Sequence, residues 1–372
     1  MEAISYMTAV ISKPIALIDG QKCRENIFHM ANKARIAGVR FSPHFKTHQS
    51  RAVGEWFRQE GISEITVSSV TMAKYFAQAG WDDITIGIPV NICQLDEINT
   101  LAEQVRLSIF VTDRNSVKKV LDKVSSAISI IIEIDCGYHR TGVPHDDHIT
   151  IQDIIDIIGS SDHKFRGFYC HSGNTYQNNG VEAILQVHND HKCKLMDLAD
   201  TFGKYNPSVE MGDTPACSVA TSFEGIDVIH PGNFVFYDVM QAHLGSCMIN
   251  QIAIAVACPI IFKNKNRMEL VVYGGGVHLS KDYIIIEDKI CFGLPVRFIN
   301  GSWSDPMDGC YVSGLSQEHG MITVTDEVFD KYEVGDIIGI LPIHSCMTAD
   351  VLGEMQTTQG QALDHMRAGK FA

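Results

Sequence analysis

Positive charge is in short supply: 30 Lys and Arg stand against 44 Asp and Glu, a formal net charge of −14. Non-specific binding to nucleic acid or to an anionic membrane depends on a basic surface, so neither is expected. An anionic ligand would need donors placed locally. Long hydrophobic runs are missing too, with none approaching the roughly 20 residues of a membrane span. The stretch from Met1 to Lys13 lacks the basic segment and apolar core that an export signal requires. A soluble, cytoplasmic protein is the expectation. The eleven cysteines form no C-x-x-C pair, which removes support for a zinc ribbon or a thioredoxin-type site. Most are expected to be reduced and buried as small apolar side chains. No internal repeat or low-complexity tract is visible.

What is present is an ordinary globular composition, 45% hydrophobic and 20% charged over 372 residues, enough for one large domain and a smaller one. After a short apolar strand at Pro14–Asp19, strand patterns fall at Val39–Pro43, Glu64–Val67, Ile84–Ile88, Leu107–Val111, Ile128–Asp135, Lys164–His171, Ser208–Met211 and Asp227–His230. Helical patterns separate most of them, including Gln21–Ala37, Thr71–Ala79, Gln94–Gln104, Ser116–Val124, Ile149–Ile158 and Val181–Phe202. Strands that alternate with helices imply a parallel sheet, and eight of them suggest a (β/α)8 TIM-like barrel. An open doubly wound sheet fits the same pattern. The stretch between Met211 and Asp227 has little helical periodicity. From Gln251 the pattern turns to short β-branched segments bounded by Gly, Asp and Asn, which reads as a mostly antiparallel β-domain. The expected division is a barrel at 20–250 and a β-domain formed by 1–19 plus 251–372.

The unusual residues cluster just after the expected strands, where a closed barrel would gather them at one mouth. Lys46 follows the first, within Ser42-Pro43-His44-Phe45-Lys46-Thr47-His48. A lysine becomes a nucleophile toward a carbonyl when burial beside potentially cationic groups, here His44 and His48, lowers its pKa; a solvated surface lysine is the ordinary alternative. Arg140 follows the fifth strand in Gly-Tyr-His-Arg-Thr-Gly, and His171 ends the sixth. Gly232 and Asn233, with Thr214, form a candidate anion cradle of backbone N–H groups and a hydroxyl. Pro-Gly-Asn is also a standard turn, and Gly-Asp-Thr-Pro a helix cap. Near the chain's end, His344 and Cys346 would point to one face of an extended strand and could grip one metal ion, with Zn²⁺ suited to imidazole plus thiolate. Tyr273-Gly274-Gly275-Gly276 lacks a phosphate-loop pattern and reads as a β-domain turn.

Pro43-His44-Phe45-Lys46-Thr47-His48 resembles the cofactor-lysine motif of pyridoxal-phosphate enzymes of the alanine racemase fold. More narrowly, it is similar to the branch holding D-serine dehydratases and D-threonine aldolases. The resemblance runs from Lys46 to Cys346 with the motifs in the family's order. It implies that Lys46 carries pyridoxal 5'-phosphate, that the Pro231-Gly232-Asn233 loop holds its phosphate, with Thr214 added from the candidate cradle, and that Arg140 faces its phenolic oxygen. The segment from Tyr169 to Tyr176 would contact the cofactor through Tyr169, His171 and Tyr176. His230 stands where racemases carry an arginine against the pyridine nitrogen. His344 and Cys346 resemble the zinc pair of D-serine dehydratases, where D-threonine aldolases usually have His-x-Asp. Ser316-Gln317-Glu318-His319-Gly320 resembles a segment near that metal, with His319 a candidate orienting group.

The implied activity is β-elimination from a D-3-hydroxy amino acid, foremost D-serine to pyruvate and ammonia, by a homodimer whose only other partner is that small substrate. A D-threo-3-hydroxyaspartate dehydratase is one alternative, and an aldolase releasing glycine and an aldehyde is another. A non-catalytic cofactor carrier is the reading from a different class, and the C-terminal β-domain and metal pair argue against it.

Overall fold

Runs of β-branched and aromatic residues become eight parallel strands in the order Arg40–Phe41, Val228–Ile229, Ser208–Met211, Lys164–Cys170, Ser129–Asp135, Arg106–Val111, Asp83–Pro89 and Ile65–Val67. This computed structural model describes residues 11–367, so the ends of the expected β-domain, 1–10 and 368–372, lie outside the described residues. The two end strands meet through a parallel bridge between His44 and Thr66. There the Phe45 N–H donates to the Thr66 carbonyl at 2.8 Å and the Thr66 N–H donates to the Pro43 carbonyl at 3.0 Å. That seam closes the sheet into a barrel and excludes the open doubly wound alternative. The strand after Met211 is reached through a helix of only six residues, Thr214–Val219, with Pro215 in its first turn and Asp213 as its N-cap. Its stability comes from capping, which hydrophobic periodicity cannot register.

By its contacts the chain divides into two units. One holds Phe28–Lys46 and Gly54–Gly232, and the other holds Thr47–Val53 with the described parts of Met1–Ile27 and Asn233–Ala372. The second unit is built on a nine-stranded sheet. Its strand Ile15–Ile18 runs antiparallel to Ile254–Asn264 and parallel to Met355–Thr357. Val256, Ile260, Leu270, Val272, Ile322 and Ile340 form its apolar core. Two local expectations are corrected here. The strand Ile337–Pro342 stops before His344, which becomes the N-cap of a helix at Ser345–Leu352. The three glycines after Tyr273 lead into a short helix, Gly276–Leu279, and not merely a turn. Among the described residues no helix is long and apolar enough to cross a membrane.

Within the barrel unit the residue before Lys46 is a packing anchor. Phe45 is fully buried, with its ring 4.9 Å from Phe57, 4.9 Å from Phe76 and 5.1 Å from Trp81. Removing it should cost about 3–5 kcal/mol. Phe45→Ala is therefore expected to lower the unfolding free energy in urea by about that amount, and Phe45→Leu by clearly less. Equal stability of Phe45→Ala and parent would show that the anchor does not matter.

Candidate active site

Lys46 is half-buried and lies directly after the seam residues His44 and Phe45. Its backbone N–H donates to His44 Nδ1 at 3.4 Å. Burial first, then Lys46, His230, His171 and Arg140, drive the His44 imidazole well below its usual pKa. His171, one residue past its strand, is pushed down to about 3 by burial and then by Lys46 and Arg140. Its Nδ1–H donates to the Gly212 carbonyl at 2.7 Å. Lys46, His44, Arg140 and His171 thus share one region of positive potential. The cause differs from the sequence expectation. His44 is neutral, and so is His48, which burial lowers to about 3; neither supplies a cation beside the lysine. The permanent positive charge is Arg140, an exposed loop residue whose guanidinium lies 5.5 Å from the Tyr138 ring centre.

Tyr169 is buried against Phe110, ring centres 4.4 Å apart, and edge-on to His230 at 5.2 Å. Burial raises its pKa well above the usual range, so the phenol keeps its proton. Tyr176 is half-buried in the helical turn Gly173–Gln177. His230 is held at both ring nitrogens. Nδ1 is 2.8 Å from the Thr66 hydroxyl and Nε2 is 3.0 Å from Glu210 Oε2, so its ring has no nitrogen left for a ligand. Glu210 is itself fully buried and takes a second bond from Arg166 Nε at 2.6 Å. Burial would raise this carboxyl's pKa, and His230 and Arg166 outweigh it to lower it.

Glu210 and Glu133 were missed by the sequence reading, although each is an acid inside an otherwise apolar strand, the signal that could have found them. Glu133 accepts from the Thr141 hydroxyl at 2.9 Å through Oε1, while Oε2 is buried with no partner among the described residues. Burial raises its pKa.

Thr214 is buried at the start of its helix, behind the Asp213 cap. Asp213 Oδ1 accepts from the Ala216 N–H at 2.7 Å and the Thr175 hydroxyl at 3.0 Å, and burial pushes this carboxyl up to about 7. Gly232 and Asn233 are buried in the loop after the last barrel strand. The Asn233 side chain is committed elsewhere, since its amide donates to Asp238 at 2.6 Å, to the Ser345 hydroxyl at 3.1 Å and to Cys346 Sγ at 3.6 Å. A role in the anion cradle is left to its backbone N–H.

That amide belongs to a second cluster, in the unit that carries His344 and Cys346. Asp238 Oδ2 accepts from the Ser345 N–H at 2.9 Å and so caps the helix that bears Cys346. Cys346 Sγ is 3.1 Å from the Thr47 hydroxyl, and His344 Nδ1 is 2.9 Å from Asp282 Oδ2. Burial works against a charged His344 ring, yet bonds to Asp282 and Cys346 outweigh it and raise the pKa to about 11. His344 and Cys346 therefore do meet, through a strand end and a helix first turn instead of one strand face. His319, the expected orienting group, is exposed on its strand.

Residues 18–238 match the family model described as "Alanine racemase, N-terminal domain". The chain belongs to that family. Residues 253–358 match a second model, "Putative serine dehydratase domain", which places this alanine racemase-fold member in the D-serine dehydratase-like branch, as the motifs implied. It is 29% identical to the D-serine dehydratase of Dictyostelium discoideum, over 92% of each chain. It is 26% identical to the D-threo-3-hydroxyaspartate dehydratase of Delftia sp. strain HT23, over 91% of this chain and 92% of that one. The fold is shared with the solved structure of the Delftia enzyme, with a TM-score of 0.88 at 24% identity over 96% of this chain and 98% of that one.

Asp213 yields a pH prediction. Its folded pKa lies above its unfolded value, so the stability it contributes is fully present below about 3.8 and is lost as pH rises through about 7. Asp213→Asn keeps an acceptor at the cap and removes the ionisation. Its melting temperature should fall less than the parent's between about pH 6 and about pH 8 by scanning fluorimetry. An identical fall in both proteins would mean that the buried carboxyl does not titrate there.

Proposed function

We propose that the protein is a pyridoxal-phosphate- and zinc-dependent lyase that dehydrates and deaminates a D-3-hydroxy amino acid, foremost D-serine, giving a 2-oxo acid and ammonia. One observation carries the reading. Lys46 and Thr47 are peptide-bonded neighbours, and the Thr47 hydroxyl is 3.1 Å from Cys346 Sγ. Thr47, the residue that follows Lys46 in the chain, thus meets one member of the candidate metal pair, although 299 positions separate Thr47 from Cys346. The curated relatives, one a D-serine dehydratase and one a D-threo-3-hydroxyaspartate dehydratase, support dehydration as the reaction class.

The residues fit both groups. An amine at Lys46, the fixed cation Arg140 and the protonated Tyr169 make a donor-rich, positive site suited to an anionic aldehyde cofactor. Imidazole and thiol bonded to each other, as His344 and Cys346 are, can exchange their shared proton for a divalent cation. Among the described residues no group of three or more His, Cys, Asp or Glu is set to hold a metal. A pair of protein ligands leaves positions for water and substrate.

When bound, pyridoxal phosphate supplies an electron sink at the substrate's Cα and zinc supplies a Lewis acid at its β-hydroxyl. The Lys46 amine is the base that takes the α-proton. Arg140 keeps an oxyanion ionised, Tyr169 donates from a dry wall, and Thr214 with the backbone of Gly232 and Asn233 holds phosphate. His344 and Cys346 are the residues that would hold the cation. Cys346, standing where aldolases usually have aspartate, favours elimination over retro-aldol cleavage. A homodimer and a cytoplasmic location go with the same reading.

Lys46→Ala is expected to abolish the absorbance of lysine-bound cofactor at about 410–420 nm; a persisting band would remove Lys46 from this role. Cys346→Ala should retain that band and lose 2-oxo acid release, so unchanged turnover with chelator present would exclude the metal. The deciding assay is metal analysis of purified protein together with product analysis on D- and L-3-hydroxy amino acids. Glycine plus an aldehyde, in place of a 2-oxo acid plus ammonia, would make it an aldolase.

A further inference from the structure

The run Tyr273-Gly274-Gly275-Gly276 has no part in the reading above, and its packing gives it one. The Gly274 N–H donates to the Glu318 carbonyl at 2.9 Å, Gly276 to Ser316 at 2.8 Å and Val277 to Gln317 at 3.2 Å. A Cβ on Gly275 would stand 2.4 Å from the Gln317 oxygen and 2.5 Å from that of Ser316. Backbone lies directly on backbone here, which only glycine permits. The contact lays the short helix Gly276–Leu279 in place, and the Leu279 carbonyl accepts from the Thr348 hydroxyl at 3.2 Å. Thr348 sits on the same helix as Cys346.

The chain then turns at Ser280, a non-glycine residue at φ +64°. The Ser280 hydroxyl bonds Asp282 Oδ2 at 3.1 Å and accepts the Asp282 N–H at 3.3 Å. The braced carboxylate reaches His344 Nδ1 at 2.9 Å, 62 positions along the chain. A carboxylate oxygen accepts, so Nδ1 carries a hydrogen, and Nε2 is the ring nitrogen that can turn to a cation once it gives up its own proton.

We propose that Asp282 is a positioning residue that fixes the tautomer and orientation of His344 so that Nε2 is presented to a bound divalent cation. The proposal rests on the reading of His344 and Cys346 as a metal pair. Carboxylates that orient metal-binding histidines in this way typically change metal affinity by about 10–100-fold when removed. The glycine run is then the support of the support: it places the helix from whose end Asp282 is delivered.

The test measures Zn²⁺ affinity by competition with a chromophoric chelator on the cofactor-loaded protein, with the visible spectrum of bound Co²⁺ as a report on the ligand set. Asp282→Ala should weaken Zn²⁺ by about 10–100-fold and alter the Co²⁺ bands, with the cofactor absorbance unchanged. Asp282→Asn, which keeps an acceptor oxygen, should recover part of the loss. Lys281→Ala, in the same loop, should bind Zn²⁺ like the parent. If Asp282→Ala does not fold, Ser280→Ala takes its place and should show a smaller loss. Parent-like Zn²⁺ binding in Asp282→Ala, or in Ser280→Ala where it substitutes, overturns the proposal while His344→Ala is still impaired. A parent that binds Zn²⁺ no better than His344→Ala would sink the metal reading itself.

Discussion

A barrel closes only where its end strands find each other, and here they do so through one short contact, His44 against Thr66. The contact is reinforced from the side by a buried polar chain. The Thr66 hydroxyl meets Ser42 Oγ at 2.9 Å and His230 Nδ1 at 2.8 Å, and His230 leads on to Glu210 and Arg166. Each member of that chain would be costly to bury alone and is acceptable because its neighbours satisfy it. Lys46 emerges two residues beyond His44, with Phe45 clamped among three aromatic rings between them. The position of the candidate nucleophile is therefore inherited from barrel closure.

The electrostatics follow from the same burial. A chain with net charge −14 builds a local positive field without a basic patch. It does so by keeping its imidazoles neutral and relying on one guanidinium and one amine. Burial holds His44 and His171 uncharged, so the field belongs to Lys46 and Arg140. The acids near them are either paired, as Glu210 is, or held toward their neutral form, as Glu133 and Asp213 are. The second cluster runs the opposite way. Bonds to Asp282 and Cys346 favour the charged form of His344.

What could be read from residue order depended on how local the determining contact was. The eight barrel strands were legible because β-branched runs carry their own period, and Lys46 stood out as a candidate because its motif is contiguous. The helix Thr214–Val219 was not, since a cap and a proline make it instead of an amphipathic face. For His344 and Cys346 the expected geometry differs: i and i+2 share a face in a strand, and here the two residues lie where a strand gives way to a helix N-terminus. Asp282 and Glu210 were out of reach because their roles depend on partners brought by tertiary register, 62 and 20 positions away. Asn233 lay between these cases, since its loop was recognisable but the direction of its amide was not.

The path of the chain has a practical corollary. It passes from one contact unit to the other after Ile27, Lys46, Val53 and Gly232, and two of those points fall inside the helices Gly20–Ala37 and Arg51–Gln59. Neither unit is a cassette that could be excised, swapped or expressed from a continuous piece of sequence. Moving either unit whole would mean rejoining separate stretches of chain, whereas the family models match the continuous pieces 18–238 and 253–358.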